Sequence, residues 1–180
     1  MNGNTEFYYR LGQVREEDAP EAVDRFRLEN AEKDHPDRGG DVAIYAAILN
    51  ETGSHYRAVG KYDESANAFS TLLAVLKRHF GENSVDYATA LGNLAGTHRL
   101  MREQEKALDL LRQAREILAN HDAPQLMASM YNYEAGAHLD MGRVEPALEC
   151  LRQARELLLP VPGAEMEMAT TLANISAVLD

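Results

Sequence analysis

The chain is poor in cysteine and in long apolar runs, and each shortage excludes a class of protein. It has 180 residues and a single cysteine, Cys150, so an internal disulfide and a zinc site built from several cysteines are both excluded. No window approaches the roughly 18 uncharged apolar residues of a membrane span. The first ten residues (MNGNTEFYYR) also lack the basic start and apolar run of a signal peptide. The sequence therefore predicts a soluble, cytoplasmic protein that does not enter a membrane.

Basic residues are scarce as well, with 18 lysines and arginines against 29 acidic residues and a net charge of −11. This charge repels a phosphate backbone and leaves no basic stripe of the kind that nucleic-acid-binding proteins need. We predict that nucleic acid is not a partner. The overall field should instead speed encounter with basic or neutral proteins, and salt should weaken that steering.

Motifs for catalysis and metal binding are also missing. Four histidines show neither the HExxH spacing nor a second histidine four residues away. They are His35, His55, His79 and His121. Cys150 has no motif histidine nearby and adjoins an apolar stripe through Leu151, which argues against a catalytic thiol. The pair Gly39-Gly40 lacks the lysine and serine of a phosphate-binding loop. The sequence thus predicts no enzyme activity, no cofactor and no metal site.

What the chain does contain is internal repetition. The hexapeptide LRQARE occurs at residues 111–116 and again, letter for letter, at residues 151–156. Small residues at Gly53, Ala95, Ala135 and Ser176 recur with spacings of 42, 40 and 41 residues. A unit of this length holds two antiparallel helices that cannot bury their apolar faces alone, so neighbouring units must stack around one continuous core.

The apolar residues recur with the helical period of 3.6, and helix breakers fall between the periodic segments. No β-structure is expected. The predicted helices cover residues 19–34, 42–58, 62–79, 85–100, 104–119, 123–140, 144–158 and 165–179. Ser84 is predicted to cap one helix, Asp122 with Pro124 to begin another, and Gly142 to end a third. A further short helix over residues 4–12 would cover the open end of the stack.

Each unit resembles a tetratricopeptide repeat, whose pattern is a large apolar residue, a small one, an aromatic, a turn glycine and a small residue early in the second helix. The first unit matches at Leu49, Gly53, Tyr56, Gly60, Tyr62, Ser65, Phe69 and Leu72. The second unit matches at Leu91, Leu94, Ala95, Ala107, Leu111 and Ala114. The third unit matches at Tyr131, Ala135, Gly142, Ala147, Leu151 and Ala154. With about 42 residues instead of about 34, these units are similar to those of kinesin light chains and many bacterial relatives.

The resemblance implies an all-α fold, a right-handed α-α superhelix (solenoid) of antiparallel helix pairs. It divides the chain into a capping segment with a half-repeat (1–41), three units (42–83, 84–122 and 123–163) and the first helix of a fourth unit (164–180). Because that fourth unit stops after one helix, Leu172, Ile175 and Leu179 are predicted to lack a partner helix from their own repeat, which leaves an apolar stripe bare. Either the chain is a fragment of a longer protein, or the last helix is a cap or pairs with a second copy in a homodimer.

Departures from the family pattern carry their own predictions. His98 and His138 stand at the aromatic position of successive units, which implies partly buried, structural side chains. Arg102 replaces the turn glycine of the second unit, so the sequence predicts that this hairpin turn is built differently from the others.

The family resemblance also implies that partners bind on the concave face, which the first helix of each unit lines. Carried over, the predicted peptide- or partner-binding residues are Asn50, Ser54, Arg57, Thr89, Asn93, Arg99, Asn132, Tyr133 and Asn174. An asparagine amide both donates and accepts, so a row of them can hold the backbone of an extended peptide. Arg57 and Arg99 could hold a peptide carboxylate. The alternative is that the asparagines bond the neighbouring helix and only keep the repeats in register.

These observations together predict a non-enzymatic scaffold for protein–protein interaction, which binds a peptide or a partner's helix in its groove. Two alternatives stay open. One is a peptide-sensing regulator, since bacterial peptide-pheromone receptors are also built from tetratricopeptide repeats. The other is a recognition arm of a larger signalling protein or enzyme. Neither the identity nor the charge of the partner follows from the sequence.

Overall fold

A computed structural model describes residue 31 and residues 34–179, and its regular structure there is entirely helical. A short 3-10 helix, Pro36–Arg38, precedes seven α-helices in this part of the chain. They are α1 (Val42–Ala58), α2 (Tyr62–Phe80), α3 (Val85–Leu100), α4 (Gln104–Leu118), α5 (Pro124–Asp140), α6 (Val144–Leu158) and α7 (Glu165–Leu179). The bounds agree with the predicted helices to within one residue. The helices predicted over 4–12 and 19–34 lie outside the described residues, apart from residues 31 and 34.

The chain divides into two compact units, residues 1–79 and 80–180. In the first, the side chain of Asp41 accepts hydrogen bonds from the backbone N–H groups of Ala43 (2.8 Å) and Ile44 (3.2 Å) and so starts α1. Helix α2 lies close against α1, because a Cβ atom on Gly53 would come within 2.8 Å of the Phe69 ring. The Ser65 hydroxyl donates to the carbonyl of Gly53 at 2.8 Å and ties the two helices together.

The second unit contains two complete hairpins, α3–α4 and α5–α6, followed by α7. The packing joins each helix to the next along the chain and, in addition, α3 to α5 and α5 to α7. Small side chains line the buried seams, which lets the backbones approach closely. They are Ala88, Ala95, Ala107 and Ala114 in the first hairpin and Ala128, Ala135, Ala147 and Ala154 in the second. The all-α architecture of antiparallel helix pairs is confirmed.

The hairpin turns correct one prediction. Arg102 was expected to change the turn between α3 and α4, yet it takes φ +66°, the same left-handed conformation as Gly60 (+79°) and Gly142 (+69°). The turn also closes with the same bond, because the N–H of Glu103 donates to the carbonyl of His98 at 2.9 Å, as the N–H after Gly142 does in the next hairpin. The backbone conformation is therefore kept, and arginine bears the strain that glycine avoids.

The helix starts confirm one predicted cap and correct another. Ser84 accepts a hydrogen bond from the N–H of Tyr87 at 3.2 Å and caps α3 as predicted. Asp122 does not cap α5, since the residue before the helix is Ala123, which has no capping side chain. Pro124 does occupy the first helical position, where its missing N–H costs nothing.

The apolar stripe of α7 is only partly exposed. Leu172 is 47% exposed and Leu179 is 69% exposed, in agreement with a face that lacks a partner helix. Ile175, however, packs against buried residues of the preceding α5–α6 hairpin, including Ala135 and Leu151, so the stripe is not wholly bare. Pairing of α7 with a second copy stays a prediction.

Candidate functional site

Within residues 80–180, the helices α3, α5 and α7 are the first helices of successive repeats, and α5 packs against both α3 and α7. Six of the predicted binding residues belong to these three helices. None of the six is buried. Thr89, Asn93 and Arg99 come from α3, Asn132 and Tyr133 from α5, and Asn174 from α7. The structure therefore brings these residues onto neighbouring helices, but it joins Asn132 to Asn174 and bonds Asn132 and Arg99 to other side chains of the same helices.

Asn132 holds α5 and α7 in register. Its amide nitrogen donates to the Thr171 hydroxyl at 2.9 Å and to the carbonyl of Ala128 at 3.0 Å. Its side-chain oxygen accepts from the amide nitrogen of Asn174 at 3.0 Å. Thr171 is fully buried, so the network is part of the contact between the two helices. For Asn132 and Asn174, the structure favours the alternative in which asparagines bond the neighbouring helix.

Arg99 already holds a carboxylate of its own chain. Its Nε donates to Oδ2 of Asp140 at 2.6 Å and its Nη2 to Oδ1 at 3.4 Å, so the pair links α3 to the end of α5. The guanidinium lies over Gly136, where a Cβ atom would come within 2.8 Å of Nη1. Glycine at this position is what makes room for the arginine.

Tyr133 is an exposed aromatic side chain of α5, with 38% of its surface accessible. It lies beside Gly92 of α3, since a Cβ atom there would be 3.9 Å from its ring. On α3, the Thr89 hydroxyl donates to the carbonyl of Val85 at 2.9 Å, which leaves its oxygen as an acceptor. Asn93, one turn further on, is partly exposed and does have a polar interaction within the protein.

A polar cluster between α5 and α6 was missed by the sequence analysis. Glu134, His138 and Cys150 each place one oxygen, nitrogen or sulfur atom within 4.8 Å of the other two. Cys150 has no motif histidine nearby in the sequence, but the hairpin brings His138 across to it in space. The 40-residue offset of the repeats could have indicated this cluster, because two of its three positions differ from the preceding hairpin. The corresponding residues of the preceding hairpin are Leu94, His98 and Leu110.

The environment of Cys150 nevertheless opposes a catalytic role. Burial, followed by the charge of Glu134, raises the pKa of the Cys150 thiol to about 12. The group is therefore protonated at neutral pH and is a poor nucleophile.

Arg115 supplies a positive charge beside this cluster. Its guanidinium carbon lies 4.7 Å from the centre of the Tyr131 ring, and its Nη1 donates to the Tyr131 hydroxyl at 3.2 Å. Its Nε is 3.0 Å from Oε2 of Glu134, so α4 and α5 are joined by an ion pair stacked on an aromatic ring. The interaction belongs to the contact between successive hairpins.

Comparison with known proteins gives the same repeat. A family model described as tetratricopeptide repeat matches residues 45–120, which cover α1 to α4 except for the first few residues. Residues 45–120 thus match the tetratricopeptide repeat by sequence. No curated protein matches it by sequence.

Solved structures of tetratricopeptide-repeat proteins share its fold. BtubC (BKLC) of P. vanneervenii is 20% identical, with a TM-score of 0.83 over 97% of this chain and 70% of the other. A putative kinesin light chain of Podosopora anserina, with nearly identical TPR-like repeats, is 16% identical, with a TM-score of 0.69 over 99% of this chain and 87% of that one. A TPR-like protein of Chlorobium tepidum is 19% identical, with a TM-score of 0.56 over 77% and 97%.

Tetratricopeptide-repeat proteins are generally scaffolds for protein–protein interaction and are typically not enzymes. Among the described helices, none is both long and apolar enough to cross a membrane.

The remaining predicted binding residues, Asn50, Ser54 and Arg57, follow one another along α1 and are all partly exposed. The Arg57 guanidinium lies 5.7 Å from the centre of the Phe69 ring, and both Asn50 and Arg57 have further interactions within the protein.

The histidine at the aromatic position of the second repeat is structural, as the family pattern implies. His98 is almost fully buried, and its Nδ1 lies 2.6 Å from Oε2 of Glu103 across the hairpin turn. Burial, with a contribution from Lys106, lowers the pKa of His98, and the hydrogen bond from His98 lowers the pKa of Glu103. A neutral imidazole therefore donates to an ionised carboxylate at neutral pH.

Proposed function

We propose that this protein is a non-enzymatic scaffold that binds an extended peptide or a partner's helix on the face formed by α3, α5 and α7. The observation that carries the proposal is the exposed ring of Tyr133 on α5, the helix that packs against both α3 and α7, together with the partly exposed polar side chains Thr89, Asn93 and Asn174 on those two helices. Aromatic anchors surrounded by polar groups are typical of the residues that dominate binding energy at interfaces.

The surroundings of Tyr133 favour recognition because they are held in place. Asn132 donates to the Thr171 hydroxyl and accepts from the Asn174 amide, which fixes α5 against α7, so a ligand would not have to order this surface on binding. The ring itself has only two rotatable bonds and offers both an apolar face and a hydroxyl. Thr89 and Asn93 of α3 lie within the same face and can exchange hydrogen bonds with a peptide backbone.

Arg99 can take part without losing Asp140. An arginine has five N–H donors, and Asp140 accepts from Nε and Nη2 only. The Nη1 donors over Gly136 can therefore hold a carboxylate of the ligand by a charge-assisted hydrogen bond. In this proposal the ion pair with Asp140 orients the guanidinium and the peptide carboxylate adds to it.

A random-peptide display library tests the proposal. Peptides selected on the wild-type protein should bind the Tyr133→Ala variant about 30-fold more weakly, as for a central aromatic anchor. Arg99→Gln should weaken those selected peptides that carry a carboxylate near the anchor. The control is Arg112→Ala, because Arg112 is an exposed charged residue on α4, a second helix outside this face. Equal affinities for wild type and Tyr133→Ala would refute the proposed site, provided that circular dichroism shows both to be folded.

A further inference from the structure

Three side chains with different donor atoms converge between α5 and α6. Glu134 and His138 are four residues apart on α5 and so lie on one face of that helix, and Cys150 comes from α6 of the same hairpin. Their carboxylate oxygen, ring nitrogen and sulfur lie within 4.8 Å of one another. The tetratricopeptide pattern does not require these three residues together, since the matching positions of the preceding hairpin hold Leu94, His98 and Leu110.

The cluster is left without the hydrogen bonds that buried polar atoms normally make. In the part of the chain that the structure describes, Oε2 of Glu134 and Nδ1 of His138 are both buried and have no hydrogen-bond partner. Arg115 is close to the carboxylate, with its Nε 3.0 Å from Oε2, but that contact is not aligned as a hydrogen bond. Two residues with an unsatisfied buried polar atom thus lie next to the cysteine, and the site is half-buried.

We propose that Glu134, His138 and Cys150 bind a transition-metal dication, and that Zn²⁺ is the metal they fit best. A thiolate, an imidazole and a carboxylate are the three kinds of ligand that zinc prefers, and three protein ligands leave a fourth position for water. With metal–ligand bonds of about 2.0 to 2.3 Å, tetrahedral geometry places the ligand atoms roughly 3.3 to 3.8 Å apart. Small side-chain rotations would close the present separations to that range.

The ligand charges offset the charge of the ion, and Arg115 leaves one further positive charge beside Glu134. Binding replaces the thiol proton by the metal, and the proton leaves to solvent. The thiolate and the Glu134 carboxylate then supply two negative charges against the two positive charges of the ion. Arg115 can keep its contact with Oε1 of Glu134, to which Nη2 donates at 3.4 Å, and so orient the carboxylate in the manner of an outer-shell partner.

Cobalt titration of the purified full chain tests this proposal. Co²⁺ is the probe, because a cysteine ligand gives a sulfur-to-cobalt charge-transfer band in the near ultraviolet, and Zn²⁺ should displace the cobalt. We expect one equivalent to bind with this band. The band should disappear in Cys150→Ser, and the affinity should fall at least tenfold in His138→Gln and in Glu134→Gln. The matched control is His98→Gln, the histidine at the same position of the preceding hairpin, which should leave cobalt binding unchanged.

Other results would overturn the assignment. Absence of the band in the wild type would show that Cys150 does not hold the metal. Binding that survives in Cys150→Ser with equal affinity would show that other carboxylates and histidines hold it. A second readout protects against variants that are merely unstable. Zn²⁺ at 100 times its dissociation constant should raise the unfolding free energy of the wild type by about 2.7 kcal/mol. No such rise should occur in Cys150→Ser, and an equal rise in both would contradict the site.

Discussion

The hairpins α3–α4 and α5–α6 share a backbone design but differ in what they place on it. Both have three-residue turns with a left-handed second residue, and both bury alanines at matching positions 40 residues apart. Between these positions, one hairpin has Leu94 and Leu110 where the other has Glu134 and Cys150. A few small residues and one turn conformation therefore set the frame, and the positions between them are free to acquire other chemistry.

The two copies of LRQARE show the same distinction. In each copy the leucine and the alanine are buried, as Leu111 and Ala114 illustrate in the first. The second arginine of the motif differs. Arg115 packs on the following repeat, where Tyr131 and Glu134 receive it, whereas Arg155 is exposed. Identical sequence thus gives the same burial of the leucine and alanine within a hairpin, but a different role for the arginine where the next repeat differs.

The largest predicted effect is a difference in stability between variants of Arg115 and Arg155. Arg115→Ala should lower the free energy of unfolding by about 1 to 2 kcal/mol, because it removes a cation–π contact and leaves the Glu134 carboxylate, only 15% exposed, without its counter-charge. Arg155→Ala should cost less than about 0.5 kcal/mol. Urea unfolding of the two variants measures the difference, and equal losses would show that the contact with the next repeat contributes nothing.

The second effect is on stability and concerns the turn between α3 and α4. Arg102→Gly should raise the free energy of unfolding by about 0.5 to 1 kcal/mol, since glycine adopts φ +66° without steric cost but loses more entropy on folding. The reciprocal change, Gly142→Arg, should lower it by about 1 kcal/mol. A Cβ atom at Gly142 meets no other atom within 4 Å, so that change tests the backbone conformation alone. If thermal melts show that Arg102→Gly is no more stable than wild type, then the backbone at Arg102 is not strained.

The smallest effect is a pH dependence specific to the α3–α4 hairpin. The pKa of His98 is lowered in the fold, so the unfolded chain binds the proton more readily. The stability contributed by the neutral ring is therefore complete above the ordinary pKa of about 6.5 and declines as the pH falls below it. Glu103, whose pKa is also lowered, adds to the loss at more acidic pH.

His98→Gln removes the first of these two titrations. The difference in unfolding free energy between wild type and this variant should accordingly shrink between pH 7.5 and pH 5. A difference that stays constant over this range would mean that His98 titrates alike in the folded and unfolded chains. His121→Gln serves as the control because His121 lies exposed at the protein surface.

Most of the fold could be predicted from the sequence because helices and their seams depend on local patterns. The apolar period, the capping Ser84 and the repeated alanines each act within one hairpin, so the described helix bounds were predicted to within one residue. The turn at Arg102 could not be predicted in this way. Tertiary packing of the two helices imposes the left-handed conformation there, whatever residue is present.

The candidate site was less predictable, because side-chain partners come from neighbouring repeats. The helical positions of Asn132 and Arg99 follow from the repeat register. Their partners Thr171 and Asp140, however, lie 39 and 41 residues away and could not be deduced from the pattern. The neighbourhood of Cys150 was missed for the same reason, since periodicity says which face a residue lies on and not which side chains meet it there.

The three-residue turns of the two hairpins also bear on how this chain reaches its fold. Closing so short a loop costs little chain entropy, so each hairpin can form from neighbouring segments without waiting for distant ones. Chains whose contacts are mostly local fold fast, within microseconds to milliseconds. Either hairpin can therefore serve as the nucleus on which the next is added, and the order of assembly is set by their relative stabilities and not by topology.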